Sequence, residues 1–264
     1  MKVALAFWGL TRSLKKTYPS IEKHILDVLK THCIHYTIFL HTYFVTTPYT
    51  NPRSEEYNIA LDNDEYTLLQ ADYFRREDQD TVKHALNLPE YRTHSDPWHS
   101  KYSMVDNFVL AMYSKQQLGN LIRSSNETFD YVLFLRPDVE YVSNLNPDWF
   151  QKATSTQLCV PDFHHFTFKF NDRFALATQE NALKYSQLFD EMLEYSKHHS
   201  LHSETMNYWY VTTKLNLTVA YVPFHFNRVR ATGEVINDVP VECNRIFDAR
   251  SDSYGRPPPV STES

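Results

Sequence analysis

Asp130-Tyr131-Val132-Leu133-Phe134-Leu135-Arg136-Pro137-Asp138 is the stretch from which the fold is read. Five apolar or aromatic residues run without interruption and then give way to a cation, a proline and an acid. A short, continuous apolar run bounded by turn residues reads as a strand buried on both faces, the kind found inside a parallel sheet. Comparable runs lie at 3–8, 36–43, 157–160, 173–178 and 217–222. Between them the pattern turns helical. Ser20 is placed to cap a helix over 21–32, with Ile21, Ile25, Val28 and Leu29 on one stripe. A second helix is expected over 102–123 and a third over 180–197, buried through Tyr185, Leu188, Phe189 and Met192. A fourth begins near Ser203. Strands alternating with helices predict an α/β fold, with a mostly parallel central sheet and helices on both faces.

One domain over 1–248 accounts for this alternation, followed by a flexible tail over 249–264. Pro48, Pro52, Pro89 and Pro97 punctuate a polar, irregular stretch at 46–100, which reads as an insertion on the sheet rather than as part of it. Long loops on a rigid sheet are where specificity usually resides, so this insertion is expected on the acceptor side of any site.

Composition excludes several functions. The 264 residues carry a net charge of −6, with a pI near 6.1, which argues against a nucleic-acid binder working through a basic face. There are only 4 glycines, at Gly9, Gly119, Gly233 and Gly255. Their spacing allows neither a dinucleotide-binding glycine fingerprint nor a phosphate-binding P-loop. The 3 cysteines are far apart and form neither a disulfide framework nor a zinc-ligand pattern. A reducing, cytoplasmic setting is the simpler expectation. No apolar stretch reaches the ~20 residues of a membrane span, and no signal-peptide cleavage site follows the apolar N-terminus.

In parallel sheets ligands bind beyond the carboxyl ends of the strands, so chemistry is sought there. After the first strand come Gly9-Leu10-Thr11-Arg12-Ser13, in which Gly9, Thr11 and Arg12 suit a phosphate group and an ordinary surface turn equally well. After the central strand, Arg136 and Asp138 stand two residues apart. Asp138 is placed to hold a divalent cation, with Glu140 as a weaker second ligand; a turn aspartate paired with Arg136 is the plainer alternative. Asp172 lies just before another strand, and Glu204 sits at a helix start, where it serves either as a cap or as a general base. His225, Arg228 and Arg230 follow the last strand as a candidate metal ligand and candidate phosphate clamps.

The order of these segments resembles that of GT-A-fold glycosyltransferases. Tyr131 to Asp138 is similar to their strand ending in a D-x-D motif, with Arg136 in place of the first acid. Asp172-Arg173-Phe174-Ala175-Leu176-Ala177, then Glu204-Thr205 at the place of an acidic pair, then Ala220-Tyr221-Val222-Pro223 continue the pattern. The R-P-D, D-[QR]-F-A and H-x-E elements also resemble a group of sugar transferases from bacteria and large DNA viruses. The resemblance spans about residues 1–230. It implies transfer of a sugar from a nucleotide-sugar donor to a glycan or glycoconjugate acceptor, with inversion at the anomeric carbon. It further implies a Mn²⁺ or Mg²⁺ ion on Asp138 and His225, Glu204 as base and Asp172 as its fallback. Thr205 and Arg136 depart from the pattern, and they favour the competing reading, a non-catalytic nucleotide-sugar or carbohydrate binder on a degenerate scaffold.

Overall fold

A computed structural model of the chain describes residues 1–165 and 167–239. The expected tail at 249–264 and the end of the domain at 248 lie outside the described residues. The elements run β1 (Lys2–Trp8), α1 (Leu14–Ile21), α2 (Asp27–Thr31), β2 (His35–Phe44), β3 (Tyr49–Asn51), β4 (Glu56–Ile59) and β5 (Tyr73–Asp78). Then follow α3 (Gln79–Ala85), α4 (Ser103–Ser124), β6 (Tyr131–Leu135), β7 (Val139–Tyr141), β8 (Gln157–Pro161) and β9 (Ala175–Thr178). The chain continues through α5 (Gln179–Tyr185), α6 (Leu188–Ser196), α7 (Ser203–Trp209), β10 (Thr218–Val222), β11 (Phe226–Val229) and β12 (Val235–Ile236).

The central sheet has seven strands in the order β10-β8-β9-β6-β1-β2-β5. Six run parallel, and β9 alone is antiparallel to its neighbours β6 and β8. The fold is therefore α/β with a mostly parallel sheet. β6 is its middle strand, and next to it β1 is paired on both sides, where Leu5 pairs with Ile38 of β2 and with Leu133 of β6. Alternation along β1 feeds two cores. Val3, Leu5 and Phe7 pack with Leu14, Ile21, Ile25 and Leu29 from the helices after β1. Ala4, Ala6 and Trp8 pack with Val105, Phe108, Met192 and Met206 from α4, α6 and α7. Burying each such large apolar side chain stabilises the fold by about 1.5–3 kcal/mol, which is why β1 carries no polar residue after Lys2.

Three expectations are corrected. The first helix begins at Leu14 rather than 21: it runs through Pro19, and a π turn over Glu22–Leu26 joins α1 to α2. Ser20 is not a cap; its hydroxyl donates to the Thr17 carbonyl and accepts the Tyr141 amide. The expected helix over 180–197 is two helices, α5 and α6. Gly119 of α4 packs at their junction, where a β-carbon would lie 2.0 Å from the Ser186 hydroxyl oxygen. Finally, 46–100 is less irregular than its prolines suggest. It contributes the edge strand β5, whose sequence Tyr-Phe-Arg-Arg-Glu-Asp is polar because only one of its edges is paired. A small sheet, β12-β11-β7, is also missing from the sequence reading and bears directly on the site.

Candidate active site

The chain lays β2 and then β5 on one side of β1, and returns to place β6 on the other. The β1–β6 boundary is thus the point where strand order reverses, and the carboxyl ends of the strands open a crevice there. A cleft of about 280 Å³ occupies this edge. Gly9, Arg12, Arg136, Asp138, Glu204, Arg228 and Arg230 all line it. Thr11, Asp172 and His225 do not.

Gly9 leaves β1 with φ +95, a left-handed conformation natural to glycine. Its amide donates to the His41 carbonyl at 3.2 Å and to the Ser114 hydroxyl at 3.0 Å. Behind it, His41 Nδ1 meets the Ser114 hydroxyl at 2.8 Å and His41 Nε2 meets Glu77 at 2.8 Å. The hydrogen bond from His41, opposed by burial and aided by Arg75, holds the Glu77 carboxyl near 2. This serine–histidine–acid chain is not a nucleophilic triad: Ser114 is fully buried and accepts an amide. It anchors the turn that delivers Arg12. Thr11 is buried in that turn, and its carbonyl accepts the amide of Leu14 at the start of α1.

Asp138 is 2% exposed and is gripped by two cations. Arg136 donates Nε to one carboxylate oxygen at 2.7 Å and Nη2 to the other at 2.5 Å, while Arg12 Nη2 approaches at 3.2 Å. Burial pushes the Asp138 carboxyl up, but the charges of Arg136 and Arg12 outweigh it and hold the group below its usual range. Trp8 closes the floor, with the Arg136 guanidinium 4.6 Å and the buried Lys115 ammonium 4.4 Å from its ring centroid. Burial lowers Lys115 to about 7, against the opposing charge of Asp172. The small sheet supplies the next wall. The Val229 amide donates to the Asp138 carbonyl, and Arg228 on β11 makes a two-pronged pair with Asp238 at 2.7 and 2.6 Å.

At the other end stands Glu204, in the first turn of α7. Burial and the nearby Asp172 raise its carboxyl from 4.5 to about 7, against the pull of Arg173 and Arg53. His202 Nδ1 lies 3.4 Å from Glu204. The imidazole packs between Trp98, stacked at 4.9 Å, and Phe168 at 4.1 Å. Burial lowers His202 to about 4, so the contact joins a neutral ring to the acid. Asp172 acts from behind this end: its backbone carbonyl accepts from Lys115 at 2.9 Å, and its neighbour Arg173 is the residue that reaches the cleft.

The sequence reading missed Tyr49, Asn51, Arg53, Gln79 and Trp98, all from 46–100. Only the aromatic and basic residues scattered through that stretch could have drawn attention to them. Arg12 packs over the Tyr49 ring and hydrogen-bonds its hydroxyl. Asp96 accepts from the amides of Trp98, Ser100 and Tyr102 and so fixes the loop that presents Trp98.

The expected metal site does not assemble. Both oxygens of Asp138 are engaged by guanidinium groups. His225 instead meets Asp162 at 2.8 Å and packs against Phe163. His225 stands just before β11 and does not line the cleft, whereas Arg228 within that strand does. Glu140 lies on β7 opposite Asn227, away from the cleft lining. Among the described residues no group of three or more His, Cys, Asp or Glu is arranged to hold a metal ion. The donor atoms of the described residues therefore do not fit a divalent cation. No helix among the described residues is long and apolar enough to cross a membrane.

No protein-family model matches the sequence, and no curated protein is similar to it at a significant level. Solved structures do show likeness. The galactosyltransferase LgtC in complex with donor and acceptor sugar analogues has a TM-score of 0.46 at 14% identity, over 83% of this chain and 73% of that one. An active-site mutant of LgtC has a TM-score of 0.47 at 14% identity, over 83% and 72%. Mouse xyloside xylosyltransferase 1 in its apo form has a TM-score of 0.45 at 12% identity, over 84% and 85%.

Proposed function

We propose that this chain is a glycosyltransferase of the GT-A kind, acting on a nucleotide-sugar donor and a hydroxyl-bearing glycan or glycoconjugate acceptor. The observation that carries the reading is a carboxyl group held near pH 7 in an arginine-lined cleft at the switch point of a parallel sheet. Glu204 is the base. Its carboxylate takes the acceptor hydroxyl proton as that oxygen bonds to the anomeric carbon. The bond from that carbon to the donor diphosphate breaks on the opposite face, and its electron pair leaves on the phosphate oxygen, so the configuration inverts. Arg12 and Arg136 face the departing charge. The 46–100 segment forms the acceptor side, with Trp98 offering an aromatic face to a sugar ring. No step is assigned to a divalent cation.

A second reading is a nucleotide-sugar binder without transfer. It is favoured by Thr205, which stands where the acidic pair of the family pattern has its second acid and whose hydroxyl contacts His202. A donor screen separates the two. UDP-, GDP-, CMP- and dTDP-sugars are incubated with the protein and released nucleotide is measured. Slow release from one donor, reduced about 10²–10⁴-fold in Glu204→Gln, supports the enzyme. Donor binding with no release, identical in the variant, supports the binder.

A further inference from the structure

We infer that the cleft receives the diphosphate of its ligand directly on guanidinium groups, with Arg230 as the principal open contact, and needs no bridging divalent cation. This rests on the nucleotide-sugar reading above and specifies how that ligand is held.

The argument begins with charge. Among the described residues six arginines line the cleft (Arg12, Arg53, Arg136, Arg173, Arg228 and Arg230) against two carboxylates, Asp138 and Glu204. A metal bridging a diphosphate to the protein needs carboxylate oxygens free to coordinate it. Asp138 has none to offer, because Arg136 and Arg12 occupy both of its oxygens. The excess positive charge beside it already supplies what the metal would supply.

The arginines are not equivalent. Arg136 and Arg12 are held by Asp138, and Arg228 by Asp238. Among the described residues Arg53, Arg173 and Arg230 make no ion pair; Arg53 and Arg173 act on Glu204 at the other end of the cleft, so beside Arg12 and Arg228 the unpaired guanidinium is that of Arg230. Burial, Arg228 and Arg12 all disfavour its charged form, with Glu56 opposing, so its pKa is lowered. A guanidinium crowded by like charges is one that an arriving anion relieves. Arg12 adds a second opening: its Nε is buried without a hydrogen-bond partner. Planar guanidinium forks match phosphate oxygens two at a time, which a single ammonium cannot do.

The position of Arg230 is built into the chain. β11 ends at Val229, and a tight turn follows, in which the Gly233 amide donates to the Arg230 carbonyl and the Arg230 amide donates to the Glu234 carbonyl. Next to it, the Ala231 amide donates to the buried Glu56 carboxylate at 2.6 Å. The Ser13 hydroxyl donates to the Val229 carbonyl and ties this turn to the one that carries Arg12.

Calorimetric titration tests the inference. UDP, GDP, CDP and dTDP are titrated into the full chain in EDTA, and again with Mn²⁺. One nucleotide is expected to bind in EDTA, with Mn²⁺ changing its affinity by less than about threefold. Arg230→Gln is expected to weaken that binding about tenfold to a hundredfold, the usual size of a lost charged hydrogen bond. Arg230→Lys, which keeps the charge without the fork, falls between. Binding that appears only with Mn²⁺ overturns the inference and leaves the nucleotide reading standing. So does unchanged affinity in both variants with unaltered circular dichroism. If Arg230→Gln fails to fold, Arg230→Lys and the EDTA titration of the unaltered chain decide the matter. Binding of no nucleotide in either buffer removes the nucleotide reading itself and the inference with it.

Discussion

Asp138 and Glu204 line one cleft, and burial acts on both carboxyls in the same upward direction, yet one ends below the ordinary carboxylate range and the other above it. Asp138 is 2% exposed and Glu204 has a side chain 18% exposed, so the difference does not follow from solvent access. It follows from partners. Two guanidinium groups reach Asp138 within 3.2 Å, whereas Glu204 has a neutral imidazole at 3.4 Å and a second acid, Asp172, in its field. Where two acids in one site are driven apart in this way, the low one is an electrostatic fixture and the high one is available to exchange a proton.

The most severe way to break the comparison is Asp138→Ala. It leaves two guanidinium groups crowded without their counter-charge. Removing one partner of a buried ion pair costs about 3–5 kcal/mol, so a large fall in Tm is expected together with loss of transfer. The pH dependence carries a sign. Asp138 is depressed in the folded state, so its stabilisation is present above its unfolded pKa and is lost as pH falls through the folded one. Asp138→Asn keeps the shape without the charge, and its Tm should fall less steeply on acidification than that of the parent. Near-normal turnover in Asp138→Ala would end the assignment of Asp138 as the fixture of the phosphate end.

The contrast between these acids was only half legible in sequence. Tyr131 to Leu135 announces a buried strand because every residue is apolar, and Arg136 and Asp138 then follow at its carboxyl edge. Their pairing was foreseeable from a separation of two residues. Glu204 was visible as an acid at a helix start, but nothing local indicates the burial behind Trp98 and His202 that raises it. β5 escaped notice because an edge strand need not be apolar, and β7, β11 and β12 are only three, four and two residues long, too short for a period to register. The surroundings of His225 are illegible for a related reason. His225 follows a strand in sequence, whereas the residues its ring meets, Asp162 and Phe163, lie just beyond β8, and no local pattern reveals that contact.

The second test bears on Glu204. Because the base must be ionised, kcat/KM is expected to rise with pH through about 7 and then level off. The residual activity of Glu204→Gln should lack this limb. Stability moves in the opposite sense. A carboxyl whose folded pKa is raised favours the folded state in its protonated form; that contribution is fully present below the unfolded pKa and is lost as pH rises through about 7. Glu204→Gln removes the loss. Its stability relative to the parent should therefore grow between about pH 5 and about pH 9, by on the order of 3 kcal/mol at most. Urea unfolding at the two pH values measures it. A difference between Glu204→Gln and the parent that stays constant across that range would show that Glu204 does not titrate as the comparison requires.

The smallest expected effect is the most discriminating, because it asks which of two neighbouring acids is the base. Asp172 contributes to the high pKa of Glu204 but does not line the cleft, and its backbone carbonyl is tied to the buried Lys115. Asp172→Asn removes one negative charge from behind the base. The limb in kcat/KM should then move to lower pH by on the order of half a unit to one unit, the effect of one nearby charge at an effective dielectric near 20. The plateau rate should change little, since Glu204 remains in place to take the proton. If Asp172 were itself the base, the outcome would reverse: Asp172→Asn would lower the plateau by orders of magnitude, and Glu204→Gln would only shift the limb. The pair of pH profiles assigns the proton to one carboxylate or the other, which a single rate for either variant does not do.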